Sequence, residues 1–415
     1  MSLDRYGRDV HVVDLVLQRN EASDIAPVTS RAVLDAHGWD VAYFAFLDEG
    51  HLDDAVAVLG HPAGRPLGEG WEHHPVTVDC GEDAGKTDDA EASASYDGFM
   101  YVVASHYGKK AGPLQVTRQW LARFRQDDLA GRVDDYSVSM QVMRGRFRLH
   151  RIVNDALAAC GIELIADDER MAAAFIAAGR AGGEKKGKKW ARRIEDGDRA
   201  FNIEAAAFRA DGSLLLGLRF PVSASGAPVL VELAGVPASF DGGEEPSVAA
   251  VWHLDGPGSE AAPVGFRALT TRDGHTFDCV LGNLDATDKG SLLIECYPQG
   301  GPALSSHWRF DLGDRDDGGQ VGATHVHSEL GDDEQRVEGI APGPDGHMLY
   351  VVDEEGKVGM RFVEAVGTAT CATGRAAGAP APRARSAAVA RTGRRRASAR
   401  ADRGSPSSAR AAPGP

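Results

Sequence analysis

The sequence lacks most of the signatures from which chemistry can be read directly. Its five cysteines, Cys80, Cys160, Cys279, Cys296 and Cys371, are scattered and never spaced as a CxxC pair. That leaves neither a zinc-ligand spacing nor a disulfide framework. No apolar run reaches the roughly 18 residues that a membrane span needs. Met1 to Val10 is charged and has no apolar segment of the kind a secretion signal requires, so the expectation is a reducing, cytoplasmic setting. Neither GxSxG nor HExxH occurs, which removes the serine-hydrolase and zincin signatures. Gly85-Lys86-Thr87 imitates the end of a phosphate loop, but Cys80 stands where that loop needs glycine.

Positive charge is also scarce in the body of the chain. The net charge is −16, which argues against general nucleic-acid binding. From Cys371 to Pro415 there are ten Arg and one Asp, a charge of +9, which leaves the remainder at −25. After Gly367 the composition is Ala, Arg, Gly, Pro and Ser without an apolar period. Residues 368–415 are therefore expected to form a disordered tail, either a basic arm or an out-of-frame reading of GC-rich DNA.

What the chain does have is glycine, 50 residues of it, with 20 prolines, and a repeated unit. Four segments open on a charged residue, at Glu91, Glu204, Arg267 and Glu338. Each continues through small or apolar residues to an Asp-Gly pair, at Asp97-Gly98, Asp211-Gly212, Asp273-Gly274 and Asp345-Gly346. A short apolar run follows, then a polar ending. A looser fifth copy opens at Asp24, turns through Gly38 and continues as Trp39-Asp-Val-Ala-Tyr-Phe-Ala-Phe46. Asp-Gly between apolar runs is a strong hairpin signal, because glycine accepts the positive φ of the turn. Runs such as Met100–Ala104, Leu214–Leu218 and Met348–Val352 are apolar throughout, which suits strands covered on both faces. The expectation is an all-β fold over residues 1–367, a β-propeller of five to seven blades.

The repeat is interrupted at about 150–195. Ile152, Ala156 and Ala159 have helical spacing. Asp167 to Gly179 begins with acids and ends on glycine, the polarity of a helix. A helical insertion between blades is predicted, ending in the basic run Lys185 to Arg193, which is read as a solvated loop.

If each repeat is a blade, its opening charges gather around the central axis. Asp24, Glu91, Glu204 and Glu338 would then share a funnel with Arg267. Such carboxylates bind a hard divalent cation such as calcium, pair with arginine, or shift one another for acid–base work. The polar strand endings form a second ring: Asp48-Glu49, Ser105-His106, Arg219, Asn283 to Asp285, and Asp353-Glu354. His106 is the histidine of that set and a general-base candidate. Glu91, Glu204, Glu338, Arg219, Arg267 and His106 are thus the candidate catalytic residues, and Asp24, Glu91, Glu204 and Glu338 the candidate metal ligands. His325, His327 and Glu329 lie on one strand, read as a surface strand.

Asn202-Ile-Glu204-Ala-Ala-Ala, Gly217-Leu-Arg219-Phe-Pro221, Ser105-His106-Tyr-Gly-Lys-Lys110 and Val337-Glu338-Gly-Ile resemble a bacterial family known as domain of unknown function 3616. That family is similar in repeat style to phytase-like and esterase-like propellers. The resemblance spans roughly Asp24 to Val363 with gaps. It implies a propeller and no particular activity. The chain departs from the usual Glu-Gly-(Leu/Ile)-Ala in Glu91-Ala92 and Glu204-Ala205. Two functions are compatible with these features. One is metal-assisted hydrolysis of small phosphate or carboxylate esters at the funnel. The other is a non-catalytic propeller that binds a small molecule or a protein at its rim, with neither membrane nor nucleic acid as partner.

Overall fold

The computed structural model describes residues 2–3, 9–17, 22–47, 51–81, 85–131, 135–143, 145–286, 290–327, 337–354 and 357–364. The expectations for the tail at 368–415 and for Asp48, Glu49 and Glu329 lie outside the described residues, as do the side chains of Asp353 and Glu354.

The repeat is a blade. In the second blade the innermost strand Ala90–Tyr96 runs to Asp97-Gly98 and returns as Phe99–Ala104, followed by Leu121–Arg125 and the short Gln141–Val142. Asp97 and Gly98 both take positive φ, 47° and 75°, as a two-residue hairpin turn with the right twist demands. Asp345 and Gly346 do the same between Val337–Pro342 and His347–Glu354 of the fifth blade. In the third blade Asp211 Oδ1 accepts from the Ser213 amide at 2.9 Å, and in the fourth Asp273 Oδ1 accepts from the Thr276 amide at 2.7 Å. There aspartate shapes the turn with its side chain. The first blade replaces the turn by the helix Arg31–His37, with Ser30 capping one end and Gly38, at φ 69°, the other.

The five innermost strands are Ala22–Pro27, Ala90–Tyr96, Asn202–Phe208, Gly265–Thr271 and Val337–Pro342. Each contacts the next, and the fifth contacts the first. That closed ring makes the fold a five-bladed propeller, at the lower end of the five to seven blades expected. Closure comes from Asp9–Leu15, which pairs antiparallel with Lys357–Glu364 and completes the fifth blade. The third and fourth blades are also joined at their outer edges, where Ser247–Asp255 pairs in parallel with Gly319–His327.

The strands Asn202–Phe208 and Leu214–Phe220 are buried at every residue, since each blade is covered on both faces by its neighbours. Polar side chains do appear in these interfaces, and one group of them is paired. Between the fourth and fifth blades, Asp278 is fully buried. Its Oδ1 lies 2.8 Å from both His307 Nε2 and Arg309 Nε, and Arg272 holds Oδ2. His307 Nδ1 in turn meets the Tyr350 hydroxyl at 2.8 Å.

The insertion is helical as expected. It comprises Arg148–Ala159, a second helix from Glu169 to Lys185 with a π segment at Ala172–Ala177, and a 3-10 turn at Lys189–Arg193. Its apolar residues Met171, Phe175 and Ile176 share one cluster with Tyr107, Phe220 and Leu284. Those three follow or end the second strands of the second, third and fourth blades. The insertion therefore roofs one end of the propeller, the end toward which the innermost strands present their first residues.

Candidate functional site

At that end every innermost strand carries a bulge. Pairing with the second strand passes from Ala90↔Ala104 to Ala92↔Val103, skipping Glu91. In the same way it skips Glu204, Arg267 and Glu338. A bulge leaves one residue out of the ladder and re-aims its side chain, so four of the charges read from the repeat share one structural register. In the first blade the pairing passes from Ala22↔Leu47 to Asp24↔Phe46, and the skipped residue is Ser23. Asp24 is therefore one position out of register with the ring. Its Oδ2 accepts from the Ser93 amide at 2.6 Å and the Ser93 hydroxyl at 2.7 Å. It ties the first innermost strand to the second, and burial pushes its pKa up to about 8.

Around the ring, charges from neighbouring blades interlock. Arg219, near the end of the third blade's second strand, donates from Nη1 to Glu204 Oε1 at 3.0 Å. Its Nε and Nη2 donate to the carbonyl and side-chain oxygens of Asn283, at 3.0 and 2.8 Å. Arg267 reaches the same Asn283 Oδ1 from Nη1 at 3.4 Å and grips Glu338 of the fifth blade through Nη2. Asp285 receives the Ser291 hydroxyl at 2.5 Å and has Lys110 Nζ at 3.7 Å.

These pairings set the protonation states. Burial pulls Arg267 down to about 10, and the neighbouring Arg219 charge adds to the effect. Burial also works against charged Arg219, but Glu204 and Asp285 more than offset it and hold its pKa above the usual arginine value. For Asp285 burial pushes up, while Arg219, Ser291 and Lys110 hold the carboxyl below its ordinary range. The Glu91 charge acts on both arginines, so the second to fifth blades all contribute to one electrostatic unit.

The site is not saturated. Among the described residues, Ser23 Oγ, Tyr107 Oη, Asn202 Oδ1 and Arg267 Nε are buried and find no hydrogen-bond partner, and none of the four residues exposes more than 9 % of its surface. Ser23 and Arg267 occupy bulge positions. Asn202 donates to Glu204 Oε1 through Nδ2 at 2.7 Å, leaving its own oxygen unused. Tyr107 feels the charges of Asp285 and Arg219, and burial raises its pKa well above the usual value. Buried polar groups are nearly always satisfied; here two of the four stand at bulges of the ring, one lies two residues before Glu204, and Tyr107 is stacked on Phe175 beneath the helical insertion.

The metal set expected from the sequence is not assembled. Among the described residues, no three His, Cys, Asp or Glu side chains are grouped so as to hold a metal ion. Asp24 turns to Ser93, while Glu204 and Glu338 are taken by arginines. His106 does not join the ring either. It sits at φ 58°, fully packed, with Nδ1 3.1 Å from Gln119 Oε1 and Nε2 3.2 Å from the Trp120 carbonyl. Burial lowers its pKa to about 4, so it is a neutral ring inside the blade and is not placed to act as a base. Of the outer-strand histidines, His325 packs against Trp308 and His327 Nε2 meets the Tyr350 hydroxyl at 2.6 Å.

Sequence reasoning placed Asn283 and Asp285 on the rim without giving them a partner. Asn202 and Tyr107 stood in quoted motifs without a role, and Ser23 was not singled out. Repeat equivalence at the bulge would have found Ser23.

No family model and no curated relative matches the chain. Solved structures similar to it include a mannose phosphorylase from Leishmania mexicana, at 9 % identity and TM-score 0.38, with 86 % of this chain and 89 % of that one covered. The major Malassezia sympodialis allergen Mala s 1 aligns at 12 % identity and TM-score 0.40, covering 85 % and 95 %. A glucose dehydrogenase aligns at 12 % identity and TM-score 0.35, covering 86 % and 99 %. The propeller assignment stands on the closed ring of innermost strands, and the site stands on its own residues.

Proposed function

We propose that the protein is a ligand-binding propeller whose axial ring takes up a small polar molecule directly, without a metal ion between ligand and protein. The observation that carries this reading is the pairing of Glu204 with Arg219 and Glu338 with Arg267, beside four unsatisfied buried polar atoms. Carboxylates that coordinate a cation need their oxygens free and convergent, whereas Oε1 of each of these two is held by an arginine. Arginine suits such a place because its fork holds several acceptors and stays charged when buried. The helical insertion packs over the same end through Met171, Phe175 and Ile176, and small-molecule sites combine such apolar cover with a few fixed polar groups.

Saturation-transfer NMR with a fragment library, run in chelator-containing buffer, tests it. Fragments are expected to bind the wild-type protein and to lose their signal in Tyr107→Phe and Asn202→Ala. Binding that appears only when calcium or magnesium is restored would instead favour the metal-assisted hydrolytic reading.

A further inference from the structure

The open valences of the ring specify more than that something binds. Resting on the axial-site reading, we infer that the ligand is a neutral polyhydroxylated compound, one that presents several hydroxyl groups and carries no net charge.

Three of the four carboxylates around the site are matched by a cation. Glu204 has Arg219, Glu338 has Arg267, and Asp285 has Lys110 at 3.7 Å. An anionic ligand would gain Arg267 Nε but would approach Glu91, Glu204 and Glu338 in a buried setting, where like charges repel strongly. A cationic ligand would meet Arg219 and Arg267 under the same conditions. What remains unused is uncharged in character or already neutralised: the N–H of Arg267 Nε, the hydroxyls of Tyr107 and Ser23, and the amide oxygen of Asn202. Arg267 Nε can only donate and Asn202 Oδ1 can only accept, while the two hydroxyls can do either. A hydroxyl group on a ligand matches all three kinds of partner, because it donates once and accepts twice. A carboxylate or phosphate would leave Asn202 Oδ1 facing an acceptor, and an ammonium group would leave Arg267 Nε facing a donor. Each such mismatch leaves a buried polar group unpaired, which weakens binding.

The probes are myo-inositol and D-glucose as neutral polyols, citrate as an anion and spermidine as a cation. Each is added at about 5 mM, low enough that general osmolyte stabilisation is small. Thermal denaturation and calorimetric titration are run on wild type, Tyr107→Phe and Asn202→Ala. At least one polyol is expected to raise the melting temperature of the wild type, with affinity about tenfold weaker in each variant, as the loss of one hydrogen bond implies. If citrate or spermidine gives the variant-sensitive shift and the polyols do not, the ligand class is overturned and the axial site stands. If no probe shifts the wild type, the class is likewise overturned, and the site is then judged by the fragment screen. A polyol shift equal in all three proteins overturns both, because it arises away from the ring.

Discussion

Arg219 holds Glu204 with one arm of its guanidinium and Asn283 with the other two nitrogens, so a single side chain from the third blade fixes a carboxylate of its own blade and a loop of the fourth. Replacing Arg219 by Leu strands Glu204 in the interior. Removing one member of a buried pair costs about 3–5 kcal/mol, and urea denaturation should show a loss of that size. Glu204→Gln in the Arg219→Leu background should recover part of it. An additive double mutant would show that the two side chains do not share an interaction.

Tyr107 offers the opposite sign. Its hydroxyl is buried and unsatisfied, so Tyr107→Phe removes a polar group that the empty protein does not use. The variant should unfold at higher denaturant than wild type, by about 1 kcal/mol, while losing affinity for any axial ligand. Gain of stability with loss of binding is the pattern of a site held open for function. A variant less stable than wild type would mean that the hydroxyl is satisfied in solution.

Two buried aspartates should give stability opposite dependences on pH. Asp24 has its pKa raised by burial to about 8, against about 4 for an ordinary aspartate. The folded protein therefore keeps a proton that the unfolded chain has released, and stability falls as pH rises from about 4 to 8. Asp278 also loses solvation on burial, but His307, Arg272 and Arg309 hold it near 2. Its contribution is present above about pH 4 and is lost as pH falls toward 2. Denaturation midpoints measured across that range should flatten on the alkaline side in Asp24→Asn. In Asp278→Asn the acid-side loss should shrink, together with the overall stability. Equal pH profiles in wild type and Asp24→Asn would place the Asp24 carboxylate in contact with water.

Gly339 marks where the fifth innermost strand approaches the first. A Cβ there would lie 2.9 Å from Ile25 Cγ2 and 3.1 Å from the Ile25 amide nitrogen. The second, third and fourth blades carry Ala92, Ala205 and Ala268 at the same register, so the demand for glycine is local to this seam. Gly339→Ala should cost about 1–3 kcal/mol as overpacking, read in thermal or chemical unfolding. Substituting Gly for Ala205 should give no comparable relief.

The turn chemistry made much of this fold legible. Asp-Gly pairs at fixed distance from an opening charge located four innermost strands, because hairpin geometry constrains residue type at the turn itself. The charged register was legible for the same blades, since a bulge recurs where the repeat recurs. The first blade broke the pattern. Its helix at Arg31–His37 replaces the turn from which the register is counted, and the visible charge, Asp24, was taken for the equivalent of Glu91 when Ser23 holds that place. The roles of His106 and Tyr107 were harder to separate. They are adjacent, and only the positive φ at His106, a tertiary outcome, sends that ring to Gln119 and Trp120. Closure of the fifth blade by Asp9–Leu15 was not visible at all, because strand pairing at that separation leaves no local mark.

That closing strand has a consequence for how the protein comes into being. Lys357 Nζ meets Asp14 Oδ2 at 2.8 Å across 343 residues of chain, and Leu15 pairs with Val358. During synthesis the segment around Asp9–Leu15 leaves the ribosome long before its partner exists. Four blades can assemble in the order of translation, but the ring stays open until the fifth arrives. Over that interval the early strand lacks the pairing with Lys357–Glu364 that it has in the finished ring.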